Sequence, residues 1–595
     1  MSRYGATALI LVLFGLLIAC AEPPSPQVAP APESASRMVA AAHPAAVQVG
    51  NRILDQGGTA LDAAVAVQMV LGFVEAPESG LGGGGFLLYH DQASNSLYSY
   101  DGRETAPAAA RPYRFTVLGQ AQPLWSAIPA GQAVGVPGLV RMLALAHEDH
   151  GTLPWAELLT PAAELADTGL PMPPRLQAQI AADPSLRLFR DTRRYFVRQA
   201  NSSEPYLHNP ELAGTLRQLA SGGPDTLYTG ALAEAIIERA RARVPGSSDL
   251  QPQDLAQYAA ERRQPLCLPY RDYRVCSAGP PTGGGIAVLQ TLYLLEPYDL
   301  AALRDDPVRA VHLIAEASRL ALADRDRWVG DPDQAVVPVD TLLDADYLGT
   351  RAGLLNPLQA ASEVSPGQPL DTVSGSPNGP GISRDAMAWT PPRPGGGTTH
   401  FTVVDDAGNL AALTSSNEMP FGTRMMVGGF LLNNQLTDFH FQPRVDGEMH
   451  PNAVASGKRP ASAMTPVMVF DQDDQPILAL GSRGGGRIPG YVTQVLIEVL
   501  DWERDIATAI AQPRFLHTGH ELELEADTAA ATWGPALTEL GHRVAVRPLT
   551  SGLHGVQRTE SGWLGGADPR LDGMAAGQVL PAGLVEGLTP PLEAP

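Results

Sequence analysis

The chain of 595 residues has no dense run of lysine and arginine, and its formal net charge is −22. Nucleic acid is thereby excluded as a partner, because phosphate binding needs a basic surface. There is no second long apolar run beyond the one at the N-terminus, no internal repeat, no G-x-S-x-G elbow and no H-E-x-x-H. The thirteen histidines show no ligand spacing, so no metal site is expected. Only three cysteines are present. What remains is a globular composition, 44% hydrophobic and 17% charged, which excludes general disorder and suits one large enzyme acting on small molecules.

The N-terminus carries a short basic start and an apolar run from Ala8 to Ala19, too short for a stable membrane span and suited to a signal peptide. The run ends Leu17-Ile18-Ala19-Cys20, which resembles the bacterial lipobox; an ordinary secretory signal is the alternative. Residues 1–19 are then the leader. Cys20 is the expected lipid anchor, placing an exported protein on the periplasmic face of an outer membrane, or leaving it soluble in the periplasm if Cys20 is not modified. Residues 20–36, rich in Pro, Ala and Ser, form a tether. Cys267 and Cys276 flank two short strand patterns around Arg271-Asp272, and a two-residue hairpin there sets them opposite one another. Export permits a disulfide; two buried free thiols are the other reading.

Met38 to Phe73 reads as two helices broken at Gly57-Gly58, the second almost wholly apolar and therefore buried. Further helical spacing covers Leu139 to Ala146, Trp155 to Ala166, Ala231 to Ala242 and Ala310 to Ala323, with strands near Phe86 to Tyr89 and Leu97 to Tyr100. From Leu355 to Gly397 the chain is rich in Pro, Gly and Ser and reads as an exposed segment. Strand patterns then follow at Thr399 to Val404, Leu410 to Ser415, Phe430 to Leu432, Val467 to Phe470 and Ile477 to Leu480, and a helix at Val492 to Trp502. The class is α/β.

Two glycine clusters invite a functional reading. Gly80 to Gly85 formally satisfies G-x-G-x-x-G, but "APES" precedes it and a strand pattern follows, the reverse of a dinucleotide site. Close backbone approach is the better use of these glycines. The second cluster, "PGGGTTHFTVV", ends on Gly397-Thr398. It reads either as a loop running into a strand or as a self-cleavage junction. In the second case the Thr398 hydroxyl attacks the Gly397 carbonyl, and the freed Thr398 amine, with an unperturbed pKa of about 7.7–8.0, serves as base to its own hydroxyl.

A resemblance decides between these readings. "TTHFTVVDDAGNLAALTSSNEMPFGT", "GGFLLNNQLTDF", "GKRPASAMTPVMVF" and "GSRGGGRI" resemble the small subunit of the gamma-glutamyltransferases, in the N-terminal nucleophile hydrolase superfamily. "AAHPAAVQVGNRILDQGGTALDAAVA", "SGLGGGGFLLY", "DGRETAP", "GVPGLV", "GPPTGGGIAVLQ" and "ADRDRWVGDP" resemble the large subunit, and the match runs in order from Ala40 to Gly573. The resemblance implies a four-layer αββα sandwich, with a large subunit over 37–397 and a small subunit over 398–595 joined as a heterodimer after cleavage.

It also implies roles. Thr398 is the expected nucleophile, Ser416 stands where the family has a threonine touching it, and Gly484 and Gly485 fall on the oxyanion glycines. Arg103 matches the arginine that binds the substrate α-carboxylate, Ser462 one of two serines that assist it, and Ala463 replaces the second. Asp438, Gln435 and Glu418 match the acceptors for the α-ammonium. The expected substrates are glutathione and other gamma-glutamyl compounds, with water, amino acids or dipeptides as acceptors and no cofactor. A glutaryl-cephalosporin-type acylase of the same fold is the rival, and an uncleaved, non-catalytic envelope binding protein a second. The segment from Phe439 to Gly457, a lid of variable length in the family, lacks a tyrosine and leaves acceptor access open.

Overall fold

The computed structural model describes residues 34–242, 246–370, 396–445 and 447–579. The leader, Cys20 and the tether up to residue 33 lie outside the described residues, as do most of the Pro/Gly/Ser-rich segment (371–395) and the C-terminal 580–595. Among the described residues no helix is long and apolar enough to cross a membrane. The end of the tether already lies against the fold, where Ala35 bridges Trp563.

Thirteen strands build two central sheets. Upstream of the junction they are β1 (Met38–Ala41), β2 (Gly84–Asp91), β3 (Ser96–Asp101), β4 (Glu261–Arg263), β5 (Leu266–Tyr270) and β6 (Tyr273–Ser277). Downstream they are β7 (Gly397–Val404), β8 (Leu410–Glu418), β9 (Val467–Phe470), β10 (Pro476–Gly481), β11 (His554–Thr559), β12 (Gly562–Ala567) and β13 (Met574–Ala576). The first sheet runs β13-β1-β7-β8-β2-β3-β4 and the second β12-β11-β10-β9-β6-β5.

Every residue of β7 and β8 is buried, so both faces of the first sheet are covered. Alternate side chains separate into two cores, as a strand period of two requires. Val39, Leu87, Phe401, Val403 and Leu413 face a layer that includes helices Pro44–Asp55 and Ala60–Val74. Met38, Ala40, Phe86, Leu88 and Ala412 pack with Val467, Leu478 and Leu480 of the second sheet and with helices Gly284–Leu295, Pro307–Trp328 and Ile488–Leu500. The result is the four-layer αββα sandwich. Each large apolar side chain so buried contributes roughly 1.5–3 kcal/mol, which holds the central strands in fixed register.

One boundary differs from the sequence expectation. Met38–Ala41 is a strand, not the start of a helix, because it pairs with β7 (Val39 opposite Val403) and with β13 (Val39 opposite Ala576). The helix begins only at Pro44, where the His43 ring accepts the Ala45 N–H at 3.1 Å and proline occupies the first turn. The hairpin at Arg271 is as expected: Arg271 takes a positive φ of 53°, and β5 and β6 set Cys267 opposite Cys276. The two sulfurs are bonded, which resolves the open choice in favour of the disulfide.

Candidate active site

The junction sits at the first residues of β7, in the middle of the first sheet. Thr398 lies opposite Ser416 on β8, and the register shifts between Gly397 and Thr398. The Gly397 carbonyl lies at this irregularity. The Ser416 hydroxyl donates to it at 2.7 Å, and accepts from the Thr398 hydroxyl at 3.2 Å and from the Glu418 N–H at 2.8 Å. One serine thus links the attacking oxygen to the carbonyl it would attack. Gly397 has no room for a side chain: a Cβ there would lie 2.5 Å from the Met419 carbonyl carbon.

The glycines expected to form the oxyanion hole are brought to the same place. Gly484 adopts a φ of 136°, which side-chain-bearing residues rarely take. Gly396 packs so closely on the next residue that a Cβ on it would meet the Gly485 nitrogen at 2.8 Å. The neighbouring Arg483 donates to the Gly396 carbonyl at 3.3 Å and to the buried Glu78 carboxylate at 2.7 Å.

Of the residues expected to hold substrate, Arg103, Asp438 and Gln435 form one hydrogen-bonded cluster. Arg103 is fully buried; its Nη2 donates to Asp438 at 2.7 Å and to the Ala461 carbonyl at 2.6 Å, and its Nε to the Pro460 carbonyl at 3.0 Å. These bonds fix the guanidinium beside the segment that carries Ser462. Gln435 donates to the same Asp438 oxygen at 2.8 Å, while its own Oε1 takes no hydrogen bond. Glu418, with φ at 78°, accepts from Asn434, and Asn434 in turn accepts the Met419 N–H at 3.0 Å. Ser462 is half-buried; its hydroxyl oxygen accepts the Met464 N–H at 3.1 Å, and Ala463 beside it offers no hydroxyl.

Arg103 and Asp438 were expected to hold the two charged groups of the glutamyl α-carbon, its carboxylate and its ammonium, and here they pair directly. Arg103 Nη1 takes no hydrogen bond, and the Asp438 side chain, about 25% exposed, is where the cluster meets solvent. Glu104 lies 3.7 Å from Arg103 with neither carboxylate oxygen hydrogen-bonded. Burial pushes its carboxyl up to about 8, with Arg103 opposing the shift, so it is mostly protonated at neutral pH. Among the described residues no group of three or more His, Cys, Asp or Glu side chains could hold a metal ion.

The sequence profile described as Gamma-glutamyltranspeptidase matches residues 46–578. The chain belongs to the gamma-glutamyltranspeptidase family. It is 33% identical over 523 residues to the glutathione hydrolase proenzyme of Bacillus subtilis (strain 168), covering 87% of this chain and 86% of that one. It is 32% identical over 584 residues to the glutathione hydrolase proenzyme of Escherichia coli (strain K12), covering 94% and 96%. Among solved structures, the cephalosporin acylase from Bacillus halodurans superposes with a TM-score of 0.77 at 27% identity, covering 93% of this chain and 99% of that one.

Within this gamma-glutamyltranspeptidase frame, sequence reasoning missed several residues beside the junction. Asn434 organises Glu418 and the Met419 amide. Glu75 accepts the Thr399 hydroxyl at 2.8 Å, and Arg175 joins Glu75 and Glu78 at 3.0 and 3.2 Å. Glu78 stands in the "APES" stretch, which served in the sequence only to reject a dinucleotide site. Two glutamates three residues apart beside a glycine run were the available signal. The glycine run itself packs as expected: a Cβ on Gly83 would lie 2.3 Å from the Ser416 carbonyl oxygen.

Proposed function

We propose that this protein is a gamma-glutamyltransferase and glutathione hydrolase, made as a proenzyme that cuts itself between Gly397 and Thr398. The observation that carries the reading is the chain of hydroxyls from Thr398 through Ser416 to the Gly397 carbonyl. Attack by the Thr398 oxygen moves the Gly397 acyl group from nitrogen to oxygen, which frees the Thr398 amine, and water then cleaves the ester to free the hydroxyl. In turnover the same hydroxyl, its proton taken by that amine, attacks the gamma-carbonyl of glutathione or a related compound. Backbone N–H groups of Gly484 and Gly485 stabilise the tetrahedral oxyanion, a term worth about 3 kcal/mol per donor. Arg103 and Ser462 take the α-carboxylate; Asp438, Gln435 and Glu418 take the α-ammonium. Water, an amino acid or a dipeptide then removes the acyl group.

The residues through Gly397 and those from Thr398 onward remain associated as a heterodimer, because β7 lies between β1 and β8 and β8 pairs with β2. The protein is exported and held through lipidated Cys20 on the periplasmic face of an outer membrane; labelling with a radioactive fatty acid, lost in Cys20→Ala, tests this.

Purified protein should hydrolyse gamma-glutamyl-p-nitroanilide, and glycylglycine should accelerate release if transfer competes with water. Thr398→Ala should be uncut and inactive; turnover by that variant would remove Thr398 as nucleophile. The rival acylase reading draws on the similarity to the cephalosporin acylase. Glutaryl-p-nitroanilide separates the two: a glutaryl substrate lacks the ammonium that Asp438, Gln435 and Glu418 would accept, so preference for it would favour the acylase. A single intact band in purified wild-type protein would favour the binding protein.

A further inference from the structure

Cutting a peptide bond through a hydroxyl needs more than an attacking oxygen and a polarised carbonyl. The nitrogen must leave as an amine, not as an amide anion, so a proton has to reach it as the bond breaks. Neither Ser416 nor the oxyanion glycines supplies one to the Thr398 nitrogen.

We propose that Glu78 is the acid that protonates the Thr398 nitrogen during self-cleavage, with Arg483 positioning both the acid and the junction. This rests on the reading that the chain cuts itself between Gly397 and Thr398. Glu78 is 1% exposed, and its backbone carbonyl accepts the Asn417 N–H at 2.9 Å, fixing it beside β8 next to the residue paired with Thr398. Its Oε1 accepts from Arg483 and Gln179 at 2.7 Å each and from Arg175 at 3.2 Å. Its Oε2 is buried with no hydrogen-bond partner, and the Thr398 N–H favours the charged form of this carboxyl. Because Glu78 is tied to Asn417, the neighbour of the Ser416 that pairs with Thr398, the uncommitted Oε2 is the oxygen left to meet the Thr398 nitrogen.

Arg483 joins the parts. One guanidinium nitrogen holds Glu78 and another the Gly396 carbonyl, and the residue itself precedes Gly484 and Gly485. Glu75, the other buried glutamate, is committed elsewhere: its oxygens accept from Arg175 and from the Thr399 hydroxyl. The groups facing Glu78 are therefore Glu75 from its own segment, Arg175 and Gln179 from helix Pro174–Ala182, Arg483 from the glycine loop and Thr398 from β7. His43 and Asp572 line the same small cavity. Burial pushes the Glu78 carboxyl up to about 7 against the pull of Arg175, so a large share carries a proton at neutral pH. Burial lowers His43 to about 4, which leaves that ring neutral and without a spare proton.

The step balances. The Thr398 oxygen bonds to the Gly397 carbon as its proton passes to Ser416, and Ser416 gives its own to the carbonyl oxygen. The carbon–nitrogen bond then breaks as Glu78 hands its proton to nitrogen. The proton held on the carbonyl oxygen leaves as the ester carbonyl re-forms and ends on the pair made by Glu78 and the new amine. The net change is one proton moved from oxygen to nitrogen, and the carboxyl is left facing the amine that later serves as base.

The test follows full-length precursor made by cell-free synthesis, with conversion to the two fragments timed on denaturing gels across pH 5.5–9. Wild type should convert at a constant rate at low pH and lose about tenfold per unit above the Glu78 pKa. Glu78→Gln should convert about 100-fold more slowly with no such fall, and Glu78→Asp should recover part of the rate with the fall restored. If Glu78→Gln alone does not fold, Glu78→Gln with Arg483→Gln removes the buried cation with its partner and should show the same slow, flat profile. Conversion of either variant within a few-fold of wild type would overturn the proposal, as would a wild-type rate that holds or rises above pH 7. Thr398→Ala run alongside keeps the two ideas apart: fragments from it would sink self-cleavage itself, whereas an uncut Thr398→Ala beside a fast Glu78→Gln sinks only the role of Glu78.

Discussion

Replacing Ser416 with alanine removes three hydrogen bonds from the junction at once, and their separate consequences can be worked from the geometry. The serine donates to the Gly397 carbonyl at 2.7 Å. In maturation that carbonyl oxygen gains negative charge as the carbon is attacked and draws the serine proton, so the bond strengthens as the reaction proceeds. Loss of one such donor costs on the order of 10²–10³ in rate, about 3–4 kcal/mol. The serine also accepts the Glu418 N–H at 2.8 Å. Alanine leaves that buried amide unsatisfied, which costs about 1–3 kcal/mol of folding stability. The third bond, from Thr398 at 3.2 Å, orients the nucleophile and adds to the kinetic loss.

Two readouts separate these effects. Precursor conversion timed on denaturing gels should slow by two to three orders of magnitude in Ser416→Ala, while urea unfolding should report a loss of about 1–3 kcal/mol. Ser416→Thr keeps the hydroxyl and suits a strand, so it should restore cutting. If Ser416→Ala matured within a few-fold of wild type, the serine would have no part in activating the junction, and the hydroxyl chain would be a packing feature.

Gly397→Ala places a methyl against the Met419 backbone, which cannot move aside like a side-chain tip; strain of about 1–3 kcal/mol should slow conversion roughly tenfold or more on the same gels. Asp438→Asn removes the charge proposed to face a substrate ammonium and should lower kcat/KM for gamma-glutamyl-p-nitroanilide by about 10–100-fold, the worth of a charged hydrogen bond, mostly through KM. Replacing Cys267 and Cys276 with serine opens a cross-link of sequence separation 9; urea midpoints should fall by the equivalent of about 2–3 kcal/mol with turnover kept, since β5 is an edge strand of the second sheet. Glu104 carries a pKa raised to about 8 by burial, above its ordinary 4.5. The unfolded chain therefore releases this proton first, and stability should fall as pH rises from about 4.5 to 8 and level off above, at up to about 1.4 kcal/mol per unit. Glu104→Gln should remove that share of the slope in thermal unfolding.

How far the sequence could be read depends on whether a feature is local. β9 at Val467–Phe470 and the hairpin that opposes Cys267 to Cys276 follow from short patterns and a turn, and both stand where the patterns put them. Met38–Ala41 is also short, but its apolar residues fit a helix as well as a strand; only β7 and β13, far along the chain, decide. The site divides the same way. Thr398 and Ser416 lie 18 residues apart on adjacent strands, so a hairpin suffices to bring them together. Their roles came from motif resemblance, since a glycine run before a threonine is ambiguous by itself.

Glu78 and Arg483 are 405 residues apart, and Arg103 and Asp438 are 335 apart. No spacing rule reaches across such distances. Each pair exists because β8 stands between β7 and β2, aligning Ser416 with both Thr398 and Gly84. The loop that enters β2 carries Glu78 to one side of the junction, while the turn after β10 brings Arg483 to the Gly396 carbonyl. Buried charges without partners would be too costly to keep, so these residues have to converge from separate segments if any of them is present. Self-cleavage therefore depends on the completed sandwich: an unfolded or half-paired chain has Thr398 and Gly397 in sequence but lacks Ser416 at the carbonyl and Glu78 beside the nitrogen, and it should remain uncut until both sheets have formed.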